Sequence, residues 1–190
     1  MTQERPDLRT WDLAFIDVEA TGAVFGFHEI IEVAAIRTDS TATEIKGKWH
    51  RRIRPAYPDR ISAKAQEITG FSVNAWADAP FSSREIWEDF AVFCRKCVPV
   101  CHNPPFDRAQ ITLAAKDVGV TDLGVDYHWI GTESLSWPLY RRGAIEKMSL
   151  EDLGRFFSIP PEPTIHNAVD GAALCLGVYR ALMAHYEAQA

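Results

Sequence analysis

A chain of 190 residues, 47% of them hydrophobic, is long enough to bury one sizeable core, and nothing in its composition calls for a second. Its formal net charge of −6 excludes a surface that attracts a long polyanion along its whole length, so contact with nucleic acid is expected to be local and short. MTQERPDLRT at the start holds no apolar signal core and no run approaches the span of a bilayer, which leads us to expect a soluble, cytoplasmic protein with no membrane partner.

Taken in chain order, Leu13 to Ile16 is a short apolar run, the pattern of a strand buried on both faces, and it ends in charge at Asp17 and Glu19. Two residues apart on a strand, these carboxylates leave the same face, and Thr21 and Gly22 supply the turn after it. Such a pair at the end of a buried strand repels itself and loses hydration, so one member takes up a proton unless a cation compensates. The alternative is a solvated strand end without a role. EIIEVAAIRT (Glu29 to Thr38) reads as a second strand and EIKGKWHRRIRP (Glu44 to Pro55) as a third, joined by short connections that imply antiparallel hairpins.

Ser62 to Ile68 reads as a short helix stopped at Gly70, and Ser83 opens a longer one with Ile86, Trp87, Phe90 and Phe93 on one stripe, closed by Pro99. CVPVCHN gives a fourth strand ending at His102 and Asn103, and PPFDRAQITLAAKDVG a helix with Asp107 in its first turn. Tyr127 to Leu135 reads as a fifth strand running into a helix, and Ser149 with Asp152 as a capping box for SLEDLGRFF. Pro160 to Pro163 break the chain before a last helix from about Asn167 to Glu187, with His166 and Asp170 at its entrance. Cys94, Cys97 and Cys101 with His102 could on spacing form a zinc site, but they fall on an amphipathic helix and a buried strand, where cysteine packs as a small apolar residue. Three hairpin strands followed by strands alternating with helices make an α/β fold, a mixed sheet of about five strands flanked by helices. The acidic residues fall at strand ends and helix starts, where an open sheet exposes a cleft.

Four distant segments can now be set together: FIDVEATG, ITGF at Ile68 to Phe71, HNPPFD at His102 to Asp107, and HNAVD at His166 to Asp170. The set resembles the DEDD superfamily of 3'-5' proofreading exonucleases in its histidine subfamily, which have a ribonuclease H-like fold. The resemblance covers nearly the whole chain and implies a single exonuclease domain over residues 1–190, with its core at about 11–186. It also implies two divalent ions, Mg²⁺ or Mn²⁺, which prefer carboxylate oxygens. Asp17 would bridge both ions, Glu19 and Asp170 would complete one site, Asp107 would help hold the other, and His166 would be the general base. The implied substrate is a single-stranded or frayed 3' end of DNA or RNA. It would be held by the backbone of Ala20, Thr21 and Gly22, by Asn103, and by Phe71 and Phe106 against a base.

The first motif departs from the family at Ala20, where threonine is usual. The third departs more seriously: His166 and Asp170 are separated by three residues, not the four usual for the histidine subfamily, and a gapless alignment puts Gly171 at the ligand position. On a helix, residues i and i+4 share a face, so His166 and Asp170 could still converge. An aspartate at 171 would restore the usual spacing. Competing readings are a haloacid-dehalogenase-type phosphatase with Asp17 as nucleophile, which needs a parallel sheet, and an exonuclease-shaped module that binds nucleic acid without cutting it. A polymerase or a second copy of the chain as partner is left open.

Overall fold

The computed structural model describes residues 6–189. Five strands form one sheet: β1 (Asp12–Ala20), β2 (Ile30–Thr38), β3 (Ile45–Arg52), β4 (Cys97–Cys101) and β5 (Ile130–Gly131), in the order β3-β2-β1-β4-β5. β1 to β3 pair antiparallel, as the short connections predict, whereas β4 pairs parallel with β1 on one side and with β5 on the other. This is the mixed sheet expected, and its antiparallel half removes the parallel sheet that a phosphatase reading requires.

The helices are α1 (Ala63–Thr69), α2 (Arg84–Phe93), α3 (Pro104–Asp117), α4 (Thr132–Arg141), α5 (Leu150–Phe156) and α6 (Ala168–Glu187). Side-chain caps set several starts: the Ser62 and Ser149 hydroxyls accept from the N–H groups of Ala65 and Asp152, and the Asn167 side chain accepts from Asp170. Gly70 ends α1 in the left-handed region at φ 62°, a conformation that suits a residue without Cβ. Period-two alternation divides β1 between two cores. Ala14, Ile16 and Val18 face Trp87 and Phe90 of α2 and Ile111 of α3, while Leu13 and Phe15 face Ala172, Cys175 and Leu176 of α6. Asp17 and Glu19 continue the second row, so they emerge on the side of the sheet that α6 covers.

Three expectations need correction. α2 ends at Phe93, and Pro99 does not close it but lies inside β4, opposite Ala14 of β1. Proline is tolerated there because β5 joins β4 only from Val100 onward, so no ladder partner in β5 asks for the missing N–H. The fifth strand is two residues long, and α4 begins at Thr132 and continues through Pro138. His166 lies ahead of the cap of α6, so the i, i+4 helical face proposed for His166 and Asp170 does not exist.

The four cysteines are free thiols buried in the cores, and burial pushes Cys97 up to about 11, so they act as apolar packing. Among the described residues no helix is long and apolar enough to cross a membrane.

Candidate active site

The site begins where β1 runs out. Its ladder with β2 shifts register between Glu19 and Ala20, the mark of a bulge that re-aims the strand end. Thr21 then locks the turn: its N–H donates to the Glu29 carbonyl (2.8 Å), its carbonyl accepts from Ser62 N–H (2.8 Å), and its hydroxyl accepts from Glu29 N–H (2.9 Å). Thr21 is therefore committed to the fold, and its backbone is not free to bind a substrate as the sequence pattern suggested. Ala20 is buried and paired with Ile30, which commits it likewise, while Gly22 stays partly open beneath the His28 ring. A Cβ at Gly22 would lie 2.6 Å from that ring, so glycine is what permits the approach.

Asp107 comes to the same place from the first turn of α3. It is 5% exposed and accepts from the Cys101 thiol and from backbone N–H groups, including that of Val18 next to Asp17. Burial outweighs these bonds and raises its carboxyl to about 7. Burial raises Glu19 to about 7 as well, assisted by the charges of Glu162, Glu32 and Asp107. Asp17, half-buried beside Glu19 on β1, is raised well above the usual carboxylate range, first by desolvation and then by Asp107 and Glu19. Three carboxylates thus stand in a setting that resists ionisation of all of them together, which a cation would relieve. Oxygen donors of this kind suit a hard divalent ion. Among the described residues no three acidic, histidine or cysteine side chains already close on one ion, so loading would have to draw the carboxylates inward.

The remaining side of the site is the entrance of α6. Gly171 faces Asp17 so closely that a Cβ there would lie 2.4 Å from Asp17 Oδ2. An aspartate at 171, which the usual spacing would call for, would therefore displace the Asp17 carboxylate. Asp170 sits one position round the helix: its Oδ2 accepts from Asn167 Nδ2 at 2.7 Å, and it lines a hollow with Ile159, Glu162 and Leu174. Its charge acts on Glu162. His166 is held at the mouth by its backbone N–H, which donates to the Ile68 carbonyl (2.9 Å), and by its ring, whose Nδ1 lies 3.2 Å from Glu162 Oε2.

The exonuclease model of the RNase T type matches residues 14–179, nearly the whole sheet and every segment of the site. The chain belongs to the RNase T exonuclease family. Among curated proteins it resembles the PolC-type DNA polymerase III of Staphylococcus saprophyticus, 31% identical over 114 residues, which is 60% of this chain and 8% of that protein. The chain thus spans a small part of that relative. Among solved structures, exonuclease I superposes with a TM-score of 0.78 at 17% identity, over 92% of this chain and 41% of the other. A zinc-bound complex of E. coli exonuclease I with single-stranded DNA matches equally, with TM-score 0.78, 17% identity, 93% of this chain and 41% of that one. The cell-death related nuclease CRN-4 follows at TM-score 0.72 and 14% identity, over 93% and 65%. At these identities the structural matches establish the ribonuclease H-like fold of this RNase T family member.

Of the other residues singled out in the sequence, Phe71 is 4% exposed and packs with Trp76 and Ile31, so it belongs to a small core and offers no open face to a base. Phe106 is half-buried and makes a tilted pair with the exposed Phe25, ring centres 6.1 Å apart. Asn103 is exposed before α3 and makes no side-chain cap. His102, half-buried and with its pKa lowered by desolvation, bonds through Nδ1 to Thr132 Oγ1 at 2.9 Å, a local role at the end of β4. Sequence reasoning missed Glu32 and Glu162. Glu32 could have been found by pairing the hairpin strands, which puts it opposite Glu19; it is bound to His50 Nε2 at 2.6 Å. Glu162 lies four residues before His166 inside a proline cluster, a position that carries no motif.

Proposed function

We propose that the chain is a metal-dependent 3'-5' exonuclease that removes nucleotides from single-stranded or frayed 3' ends of DNA or RNA. The observation that carries this reading is the gathering of Asp17, Glu19 and Asp107 from β1 and α3, with Glu19 and Asp107 both raised to about 7. These three would hold two Mg²⁺ or Mn²⁺ ions. Such ions would supply a water made nucleophilic near neutral pH and would neutralise charge on the departing oxygen. His166 takes the proton of the attacking water, its Nδ1 facing Glu162 and its Nε2 left to act as the base. Attack at phosphorus breaks the bond to the 3' oxygen of the preceding nucleotide, so the products are a nucleoside 5'-monophosphate and a shortened strand with a free 3'-hydroxyl. Gly22, Asn103 and the Phe25–Phe106 pair border the place of the terminal nucleotide, where stacking tolerates any base.

The test is direct. Single-stranded DNA and RNA labelled at the 3' or the 5' end are incubated with Mg²⁺ or Mn²⁺, with and without EDTA. We expect monophosphates released from the 3' end and silenced by EDTA. Release from the 5' end, internal cuts, or binding without products would reject the reading, the last in favour of a non-cutting module.

A further inference from the structure

We propose that the cavity between the turn ahead of β2, the segment that follows β3 and the middle of α3 is a second base pocket. It takes an unpaired nucleotide of the substrate strand, a few positions before the 3' end, and so rests on the exonuclease reading above. The cavity measures about 270 Å³, near the lower end of the range of small-ligand pockets. Phe27, Tyr57 and Phe81 line it and are all exposed. Two half-buried arginines lie on these rings. The Arg60 guanidinium is 3.7 Å from the centre of Tyr57 and 4.8 Å from that of Phe27, and the Arg54 guanidinium is 5.1 Å from that of Phe81. Each uses one N–H on a carbonyl, Arg60 on Phe27 (3.4 Å) and Arg54 on Ala77 (3.2 Å), and a guanidinium has five. Among the described residues neither makes an ion pair. Aromatic faces for a base beside cations with free donors for its phosphate are what a single strand needs.

Gln110 of α3 lines the same cavity and is only 3% exposed. Its Nε2 reaches the Gly22 carbonyl at a long 3.5 Å, and among the described residues no donor reaches its Oε1. A buried carboxamide in that state gains from a ligand that donates to it, and every base carries an N–H on its pairing edge. Two carboxylates also line the cavity. Glu29 is committed, accepting from the N–H groups of Ala56 (2.9 Å) and Tyr57 (2.8 Å), and Asp117 is exposed at the end of α3. The two guanidinium groups therefore stay available to a phosphate, on a chain whose net charge of −6 otherwise repels one. The cavity also adjoins the site. Gly22 follows the end of β1, and both the His28 ring that covers it and the Gln110 side chain that bonds it belong to the cavity lining. A strand that leaves the carboxylates by way of Gly22 enters the cavity within a few nucleotides.

Initial rates are measured with Mg²⁺ or Mn²⁺ on single strands of about ten nucleotides, DNA or RNA, in which one base at a time is replaced by an abasic sugar. Wild type is expected to show one internal position, a few nucleotides from the 3' end, where loss of the base raises KM about 5-fold or more. Arg60→Gln and Phe81→Ala, on opposite walls of the cavity, should each raise KM for the intact strand. In either variant the abasic change at that position should then add little, because strand and protein have lost the same contact. The slope of log KM against log salt should fall by about 0.7 in Arg60→Gln and again on adding Arg54→Gln, the share of one phosphate contact each. If one wall variant does not fold, the other carries the test. No sensitive internal position in wild type, or the same abasic penalty in a folded variant as in wild type, would overturn the proposal. So would inhibition by added nucleoside 5'-monophosphate that Phe81→Ala abolishes while no internal base matters, since the cavity would then hold a free nucleotide. A wild type that cuts no strand rejects the exonuclease reading with it, whereas 3' ends cut without internal base sensitivity reject this proposal alone.

Discussion

The two sides of the site are built by different means. Asp17 and Glu19 belong to the central strand of the sheet, whose ladders with β2 and β4 fix both their height and the face they leave. Across from them, the entrance of α6 is set by a proline-rich loop, one asparagine cap and a hydrogen bond from His166 to α1. A strand position cannot shift by one without turning every side chain of the strand to the wrong face, so its carboxylates stay readable as a motif. A loop has no such register, and its residues are placed by local contacts.

That contrast can be broken first on its rigid side. Asp17→Asn should reduce hydrolysis to background, because the residue proposed to bridge both ions loses its charge. Its strand and helix content should be retained, read by circular dichroism. Because Asp17 is held well above its usual range by burial and by Asp107 and Glu19, the variant without metal should be more stable than wild type. A loss of secondary structure would instead make Asp17 a folding residue.

The mobile-register side is tested at His166. His166→Ala should leave Mn²⁺ binding in place and cost about 10² to 10⁴ in rate, the usual contribution of a positioned acid–base group. The acidic limb of the pH–rate profile should vanish with it. If the variant turns over normally per folded molecule and is merely less stable, the ring is a strut between α1 and the loop.

Gly171→Ala probes the contact between the two sides. The added methyl would lie 2.4 Å from Asp17 Oδ2, too close for contact, and the end of a flexible side chain is the cheaper group to move. We expect the fold to survive and metal affinity to fall about 10-fold, read by Mn²⁺ titration. Unchanged affinity would mean that the helix backs away and that the close packing of α6 on β1 is not needed to aim Asp17.

The pH dependence of stability compares the site with the rest of the surface. Glu19 and Asp107 titrate near 7 in the fold, above their unfolded values of about 4. Between about pH 4.5 and 7 the folded chain therefore holds protons that the unfolded chain has released, and the metal-free protein should lose stability as pH rises through this window. Asp12 shows the opposite sign: burial pushes it up, but Lys46 and Arg37 outweigh that and leave it below the usual range, so its contribution is lost only as pH falls below about 4. Excess Mn²⁺ should flatten or invert the first slope by holding the site carboxylates ionised. Denaturant titrations at several pH values measure it, and a metal-free stability that rises from pH 5 to 7 would contradict the placement of these groups.

How much of this was legible follows the same division. Alternation in β1 gave the face of Asp17 and Glu19, the hairpins gave the antiparallel half of the sheet, and the proline start of α3 gave Asp107 its place in a first turn. Pro99 was misread because its tolerance depends on a neighbour, β5, that stops one residue short of it. Asp170 was singled out on the resemblance of its motif, and its cap bond to Asn167 and the closeness of Asp17 to Gly171 exist only in three dimensions. Glu162 carried no pattern at all, because its approach to the site is set by the path of a loop.

The smallest effect is expected at the aromatic rim, and it separates two phenylalanines that look alike in the sequence. Phe71 is closed into a core with Ile31 and Trp76, so Phe71→Ala should act on stability, by about 3 kcal/mol or more, with KM unchanged for the folded fraction. Phe25 is 49% exposed and tilted against Phe106 beside the first turn of α3, close to Asp107 in the chain. Base–aromatic stacking is worth about 1 to 3 kcal/mol in a formed stack. One ring at the rim, already half occupied by its partner, should supply the lower end of that range. Phe25→Ala is therefore expected to raise KM about 5-fold, with kcat and thermal stability little changed, and to do so equally for purine and pyrimidine 3' ends because every base has a face to stack. A fall in kcat without change in KM would move Phe25 from holding the terminal base to aligning the phosphate, and no change at all would place the path of the strand on the other side of α3.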